Sequence, residues 1–245
     1  YASLVTARGL DVVLEADPAL AELLQSAPGI VQVVTAGAPL SEIDAHCPLM
    51  SLPRIFATDM AGIPSAPHYL VTPDRRRVEW QARLGPPDGT RIGLAWRGNP
   101  HHLRDARRSI PLLALAPLFG AQARFFSLQK EIRPDEAAAL ASLPGLHRFE
   151  DSIRDLADVA ALCEQMDLVI AVDTSIAHLA GALGRPVWVL LPFVPDWRWL
   201  LGRNDSPWYP TARLYRQPTS GDWASVIAQV RGDLDSKYGP TPYPR

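Results

Sequence analysis

MDLVIAVDTSIAHLAGALGRPVWVLLP, residues 166–192, organises the rest of the chain. Its first apolar run, residues 168–172, is too short for a helix and rich in β-branched side chains, so it reads as a strand buried on both faces. Asp173-Thr174-Ser175 follows at once. Ile176, Leu179, Ala180 and Leu183 then recur at helical spacing, and Gly184 and Pro186 close the pattern. A second buried run, residues 187–191, comes straight after. The spacing predicts a strand–loop–helix–strand unit, in which ligands lie beyond the carboxyl ends of the strands. The loop sets Asp173, Thr174 and Ser175 at a helix N-terminus, where free backbone N–H groups and the positive dipole end attract anions. Thr174 and Ser175 add hydroxyl donors for a phosphate, whereas Asp173 suits an N-cap or a ribose hydroxyl. The same triplet also fits an ordinary N-cap with no ligand.

Upstream, residues 1–7 are helix-like, 11–15 a strand, 18–24 a helix opened by Pro18, and 30–35 a strand. Residues 45–52, AHCPLMSL, read as a strand broken by Pro48. An α/β half that opens on a helix lacks the strand that helix should follow. A first strand is therefore expected upstream of Tyr1. Residues 51–73 form a Pro-punctuated loop region, and 75–84 a polar helix. Gly85-Pro86-Pro87-Asp88-Gly89 is the clearest linker. The α/β alternation then restarts, with strands at 92–96, 123–128 and 146–149 and helices at 112–119, 134–143 and 153–165. Ser152 and Asp155 give the last of these a capping-box shape. Residues 195–218 are aromatic-rich and aperiodic. A final amphipathic helix covers 223–234, and the tail from Gly239 to Arg245 is expected to fray.

Composition narrows the class. With 245 residues, 47% of them hydrophobic, the chain has room for one large domain or two smaller ones. A net charge of −2 gives no electrostatic case for nucleic acid. No apolar run reaches the roughly 20 residues that span a bilayer. Cys47 and Cys163 stand apart without metal-ligand spacing and suit a reduced cytosolic protein.

Four loops follow strands of the second half and end in polar groups. They hold Trp96-Arg97-Gly98-Asn99 with Arg104, Arg107, Arg108 and Ser109; Ser127, Gln129 and Lys130; Glu150-Asp151-Ser152; and Asp173-Thr174-Ser175. In a parallel sheet such loops share one edge, and cations beside a helix N-terminus describe a diphosphate site. The arginine run also fits a solvated loop, but Lys130 is aimed by the end of its strand. His101 and His102 read as exposed loop residues. His178, one turn into its helix, either reaches the ligand or packs. His46 stands beside Cys47, yet neighbours in a strand point to opposite faces, which weakens a Cys–His pair. Ser175 lacks a G-x-S-x-G setting. Neither G-x-G-x-x-G nor G-x-x-x-x-G-K-[ST] occurs.

IGLAWRGNP, RRSIPL, FFSLQK, DLVIAVDTSIAHLAGALGRPVWVLLP and PDWRWLLGRNDSPWYPTARLYRQP together resemble the C-terminal glycosyltransferase-like region of bacterial tetratricopeptide-repeat proteins. That region is similar to the heptosyltransferase family and, more remotely, to O-GlcNAc transferases. The resemblance implies an α/β protein of GT-B type, with two Rossmann-like parallel-sheet domains facing a cleft and the first incomplete at its N-terminus. It implies an acceptor-side domain over 1–87, a nucleotide-sugar domain over 88–220, and a helix over 221–238 returning toward the first domain. By position, Lys130 contacts the donor diphosphate. Asp173, Thr174 and Ser175 meet the diphosphate and sugar, with His178 behind them. Arg97 and Asn99 face the cleft, Ser127 precedes Lys130 in the donor loop, and Asp151 and Ser152 hold base and ribose. The Gly-rich loop that carries the acidic base in heptosyltransferases is absent here, and His46 is the substitute. The activity implied is a cytoplasmic, metal-independent transfer, with no cofactor, from a nucleotide sugar to a protein or glycan acceptor. The rivals are a non-catalytic nucleotide-sugar-binding or scaffolding module and a sugar-nucleotide epimerase.

Overall fold

A computed structural model of the chain describes residues 1–40 and 42–239. Its first parallel sheet has two strands, β1 (Val12–Ala16) and β2 (Ile30–Thr35). Helix α1 (Ala2–Thr6) precedes them and α2 (Pro18–Leu24) connects them. The Asp17 carboxylate caps α2 by accepting the Ala19 N–H at 2.8 Å, and Pro18 begins the helix where no donor is needed.

Residues 45–52 do not form the expected strand. Pro48 leads into a 3-10 turn, Leu49–Ser51, and then into the short α3 (Leu52–Ile55). Leu49 and Met50 are 60% and 61% exposed, so no sheet buries them. Apolar content suggested a strand, but Pro48 and Pro53 each remove a ladder donor.

Helix α4 (Asp74–Leu84) ends at Gly85, whose φ of 68° favours glycine. The larger sheet follows: β3 (Arg91–Ala95), β4 (Arg124–Ser127), β5 (Leu146–His147), β6 (Leu168–Val172), β7 (Val187–Leu191) and β8 (Ala212–Arg216). All pairings are parallel, in the order β5-β4-β3-β6-β7-β8. Every residue of β3, β6 and β7 is buried, as continuous apolar runs require in a sheet covered on both faces. Strand alternation divides the core. Val169, Ala171, Val187 and Val189 pack under α7 (Leu156–Glu164) and α8 (Ser175–Ala182). Leu168, Ile170, Val172 and Leu190 pack on the other face against the 3-10 segment Leu112–Gly120 and α9 (Trp223–Tyr238). Short helices α5 (Asp105–Arg108) and α6 (Ala137–Ala141) complete the described α-helices, and 3-10 turns lie at Pro134–Glu136 and Trp197–Trp199.

Three further departures from the sequence expectations have local causes. Strand β8 lies inside the stretch read as aperiodic. Helix α7 starts at Leu156, because Asp155 caps it through the Ala157 and Asp158 N–H groups at 3.0 and 3.1 Å; Ser152 ends a separate 3-10 turn, Glu150–Ser152. Helix α9 runs to Tyr238, beyond the expected end at residue 234, because Tyr238 extends the apolar stripe of Trp223, Val226, Ile227, Val230 and Leu234 that packs on Leu112–Gly120 under its own sheet. Residues 240–245, most of the expected frayed tail, lie outside the described residues.

The two parts of the chain meet at α7. Arg76 on α4 donates to Asp158 at 3.0 Å, to Asp155 at 2.8 Å and to Glu22 of α2 at 2.7 Å. Trp80 adds an indole donor to Asp158 at 3.1 Å. Leu23 of α2, only 1% exposed, belongs to the same core layer as α7.

Candidate functional site

The larger sheet changes direction between β3 and β6. From β3 the chain winds out to β4 and β5; from β6 it winds the other way to β7 and β8. The loops after β3 and β6 therefore flank the crevice where open α/β sheets bind ligands.

In the β3 loop, Arg97 is buried and turned inward. Its Nε donates to Glu136 at 3.1 Å and its Nη2 to the Glu131 carbonyl at 2.7 Å. It braces two loops instead of facing the cleft, because Glu136, distant in sequence, neutralises it. Asn99 is exposed, and its side chain accepts the His101 N–H at 2.9 Å. Arg108 reaches across to the next loop: Nη1 donates to the Asp173 carbonyl at 2.8 Å, while Nε lies 3.3 Å from Asp105. Gly98 makes room for it, since a Cβ there would lie 2.5 Å from Arg108 Nη2.

In the β6 loop, Asp173 and Thr174 are buried and Ser175 is exposed. Thr174 has the extended backbone of an N-cap, yet its side chain makes no cap bond. Its Oγ1 is buried with no partner. Such an orphaned hydroxyl costs about 1–3 kcal/mol, so an ordinary cap does not account for it. His178 lies one turn along α8. Its Nδ1 is 3.0 Å from the Tyr209 hydroxyl, its Nε2 is 3.8 Å from Asp173 Oδ1, and its ring stacks on buried Trp199. Burial holds the imidazole below its usual value, outweighing the opposing pull of Asp173; Arg198 and Arg108 push the same way as burial. Asp173 and His178 share a crevice of about 200 Å³ with Arg104, Arg107, Arg108 and Arg198. Arg198 is paired with Asp196 at 2.9 Å.

A second, larger cleft of about 710 Å³ is lined by the loops that follow β4 and β5. Lys130, Arg133, Arg148, Glu150 and Asp151 line it, together with Ile132 and Leu140. Lys130 and Asp151 are exposed there. Arg148 holds the Glu150 carboxyl below its ordinary value against the opposing effect of burial, and Glu150 Oε2 is buried without a partner. Lys130 and Asp173 thus line different clefts of one sheet edge. Strand β3 separates β4 from β6, so two strand spacings, about 10 Å, lie between those strand ends.

Other candidates are placed elsewhere. Ser127 is wholly buried, and its hydroxyl accepts the Gln129 N–H at 3.2 Å. Ser152 is half-buried and accepts from Arg83. His46 is exposed in irregular backbone and lines neither cleft; the strand expected to aim it does not form. Sequence reasoning missed Glu136 and Arg198 as site-shaping residues; Trp199 was expected near the cleft or the domain junction, and Tyr209 was noted only as one aromatic of that stretch. The aromatic richness of 195–218 was the one available signal. Among the described residues no group of three or more His, Cys, Asp or Glu is placed to hold a metal ion, and no helix is long and apolar enough to cross a membrane.

Comparison with known proteins adds three findings. The model of glycosyltransferase family 9 (heptosyltransferase) matches residues 152–190, which include α7, β6, the Thr174 loop and α8. The protein FlbA of Caulobacter vibrioides is 32% identical over 167 residues, 64% of this chain and 27% of FlbA. The chain spans about a quarter of that relative's length. The structure of E. coli ADP-heptose lps heptosyltransferase II is 14% identical, with a TM-score of 0.61, over 96% of this chain and 93% of that chain. At that identity the likeness concerns the fold, which is α/β of GT-B type.

Proposed function

We propose that the chain is a glycosyltransferase module that moves a sugar from a nucleotide-sugar donor to a protein or glycan acceptor without a metal ion. The observation that carries this reading is the buried, unpartnered Thr174 hydroxyl at the head of α8, beside a crevice lined with arginines. The family match over the same loop and helix supports it. The donor diphosphate lies at the switch point, where helix N–H groups, Thr174, Ser175 and Arg104 and Arg107 meet it. These groups offset the charge that develops on the leaving diphosphate, a task a divalent cation performs elsewhere. The nucleoside extends over β3 toward Lys130 and Asp151. The likeness of the quoted motifs to modules that follow tetratricopeptide repeats supports the same setting for this one, and work in the cytoplasm.

One observation favours the second reading, a binding or scaffolding module. His46, the substitute base, is exposed outside both clefts. Incubation with a panel of nucleotide sugars, with and without acceptor, separates the possibilities. Release of nucleoside diphosphate that depends on acceptor supports the transferase. Interconversion of the sugar without acceptor indicates an epimerase, and binding without turnover a scaffold.

A further inference from the structure

Tyr209 belongs to the stretch before β8, 31 residues from the histidine it touches. Its ring seats directly against α8. A Cβ on Gly181 would lie 2.5 Å from Tyr209 Cδ1 and Cγ, so the glycine is what admits the ring. That close approach sets the phenol hydroxyl 3.0 Å from His178 Nδ1, one turn earlier on the helix. Trp199, wholly buried, stacks on the imidazole at 5.1 Å between centroids and 17° between planes. The plane of the ring is therefore fixed by one aromatic and its Nδ1 edge by the other. The Nε2 edge lies 3.8 Å from Asp173 Oδ1.

A neutral imidazole has one donor and one acceptor nitrogen, and the neighbours decide which is which. At 3.8 Å the Asp173 carboxylate is beyond hydrogen-bond distance, but its charge favours an N–H over a lone pair on the nitrogen that faces it. Nδ1 then accepts, and Tyr209 donates. The Tyr209 hydroxyl keeps its proton because burial pushes it far above the usual phenol range; the Tyr69 hydroxyl raises it further and is the second acceptor within its reach, besides His178 Nδ1. The opposite tautomer would set a lone pair of Nε2 against Asp173 and against any phosphate oxygen in the crevice.

The geometry points to Tyr209 as a positioning residue: through Nδ1 it locks His178 as the Nε2–H tautomer, so that the crevice presents a neutral, directed N–H to the phosphate–sugar end of the donor. This rests on the donor-site reading above. A neutral donor orients the ligand without adding a further positive charge to a crevice that already holds four arginines, which favours release of the diphosphate product.

Nitrogen-15 spectra of the full chain near neutral pH, with His178→Ala to assign the signal, test this. Wild type is expected to show the Nε2–H pattern, with Nδ1 shifted by an accepted hydrogen bond. Tyr209→Phe should populate both tautomers and weaken nucleoside diphosphate binding about three- to tenfold in calorimetry. An Nδ1–H pattern in wild type, or an unmoved tautomer in Tyr209→Phe, overturns the assignment. Should Tyr209→Phe fail to fold, the wild-type Nδ1 shift decides alone. Wild-type protein that binds no nucleoside diphosphate overturns the donor-site reading, and with it the purpose of the lock, whatever the tautomer. Binding with an unmoved tautomer overturns the role of Tyr209 alone.

Discussion

Thr174→Val separates a ligand-binding hydroxyl from a structural one. The substitution keeps the β-branched shape and removes only Oγ1. In the free chain that oxygen is buried, unpartnered and not a helix cap, so its removal breaks no bond within the protein. Relief of an orphaned hydroxyl, which costs about 1–3 kcal/mol, should leave stability unchanged or raise it. With a diphosphate bound, the same hydroxyl donates to an anionic oxygen, a contact worth roughly 1.5–3 kcal/mol. Affinity should then fall about ten- to a hundredfold. Stability and affinity thus move in opposite directions, or affinity alone moves. A melting curve of the free protein and a calorimetric titration with nucleoside diphosphates read both quantities. A variant that melts about 2–4 °C lower, as a loss of about 1 kcal/mol would give at this chain length, with affinity unchanged, refutes the assignment.

Lys130→Ala, at the nucleoside end of the donor site, should weaken nucleoside diphosphate binding about three- to tenfold and leave stability within about 0.5 kcal/mol, while Lys130→Arg recovers part of the affinity; calorimetry of both variants showing no change removes the outer half of the donor site. Gly181→Ala should cost about 1–3 kcal/mol in a denaturant titration by driving a methyl into Tyr209, and should loosen the His178 contact with it. Asp158→Asn should cost about 1–3 kcal/mol, because the amide cannot serve as the charged acceptor that Arg76, Arg154 and Trp80 share, while Arg76 keeps Asp155 and Glu22. Although burial opposes it, Arg154, Trp80 and Arg76 hold Asp158 well below the ordinary carboxylate value. Its contribution is therefore full above the unfolded value of about 3.9 and is lost as pH falls toward the folded one. Melting curves in acid should fall more steeply for wild type than for Asp158→Asn.

Where burial is complete on both faces, sequence and structure agree. Leu168–Val172 and Val187–Leu191 are continuous apolar runs because both faces of the sheet are covered, and Pro18 and Gly184 mark helix ends through their backbone limits. Strand β8 was illegible because an edge strand tolerates Arg213 and Arg216, which blur its alternation. Residues 45–52 misled because apolar content says nothing of ladder donors, which proline removes. The Thr174 loop was legible through its place between strand and helix. The inward turn of Arg97 was not, since Glu136 lies 39 residues away and no spacing rule links them. Tyr209 was hidden for the same reason: only the folded chain brings its hydroxyl to His178.

The most direct test of the central claim is a crystal structure of this chain soaked with a nucleoside diphosphate. The expected density places a phosphate within hydrogen-bond distance of Thr174 Oγ1 and the first N–H groups of α8, flanked by Arg104 and Arg107, with the nucleoside extending toward Lys130 and Asp151. Density for the diphosphate elsewhere on the chain, with Thr174 Oγ1 still buried and unpartnered, contradicts it.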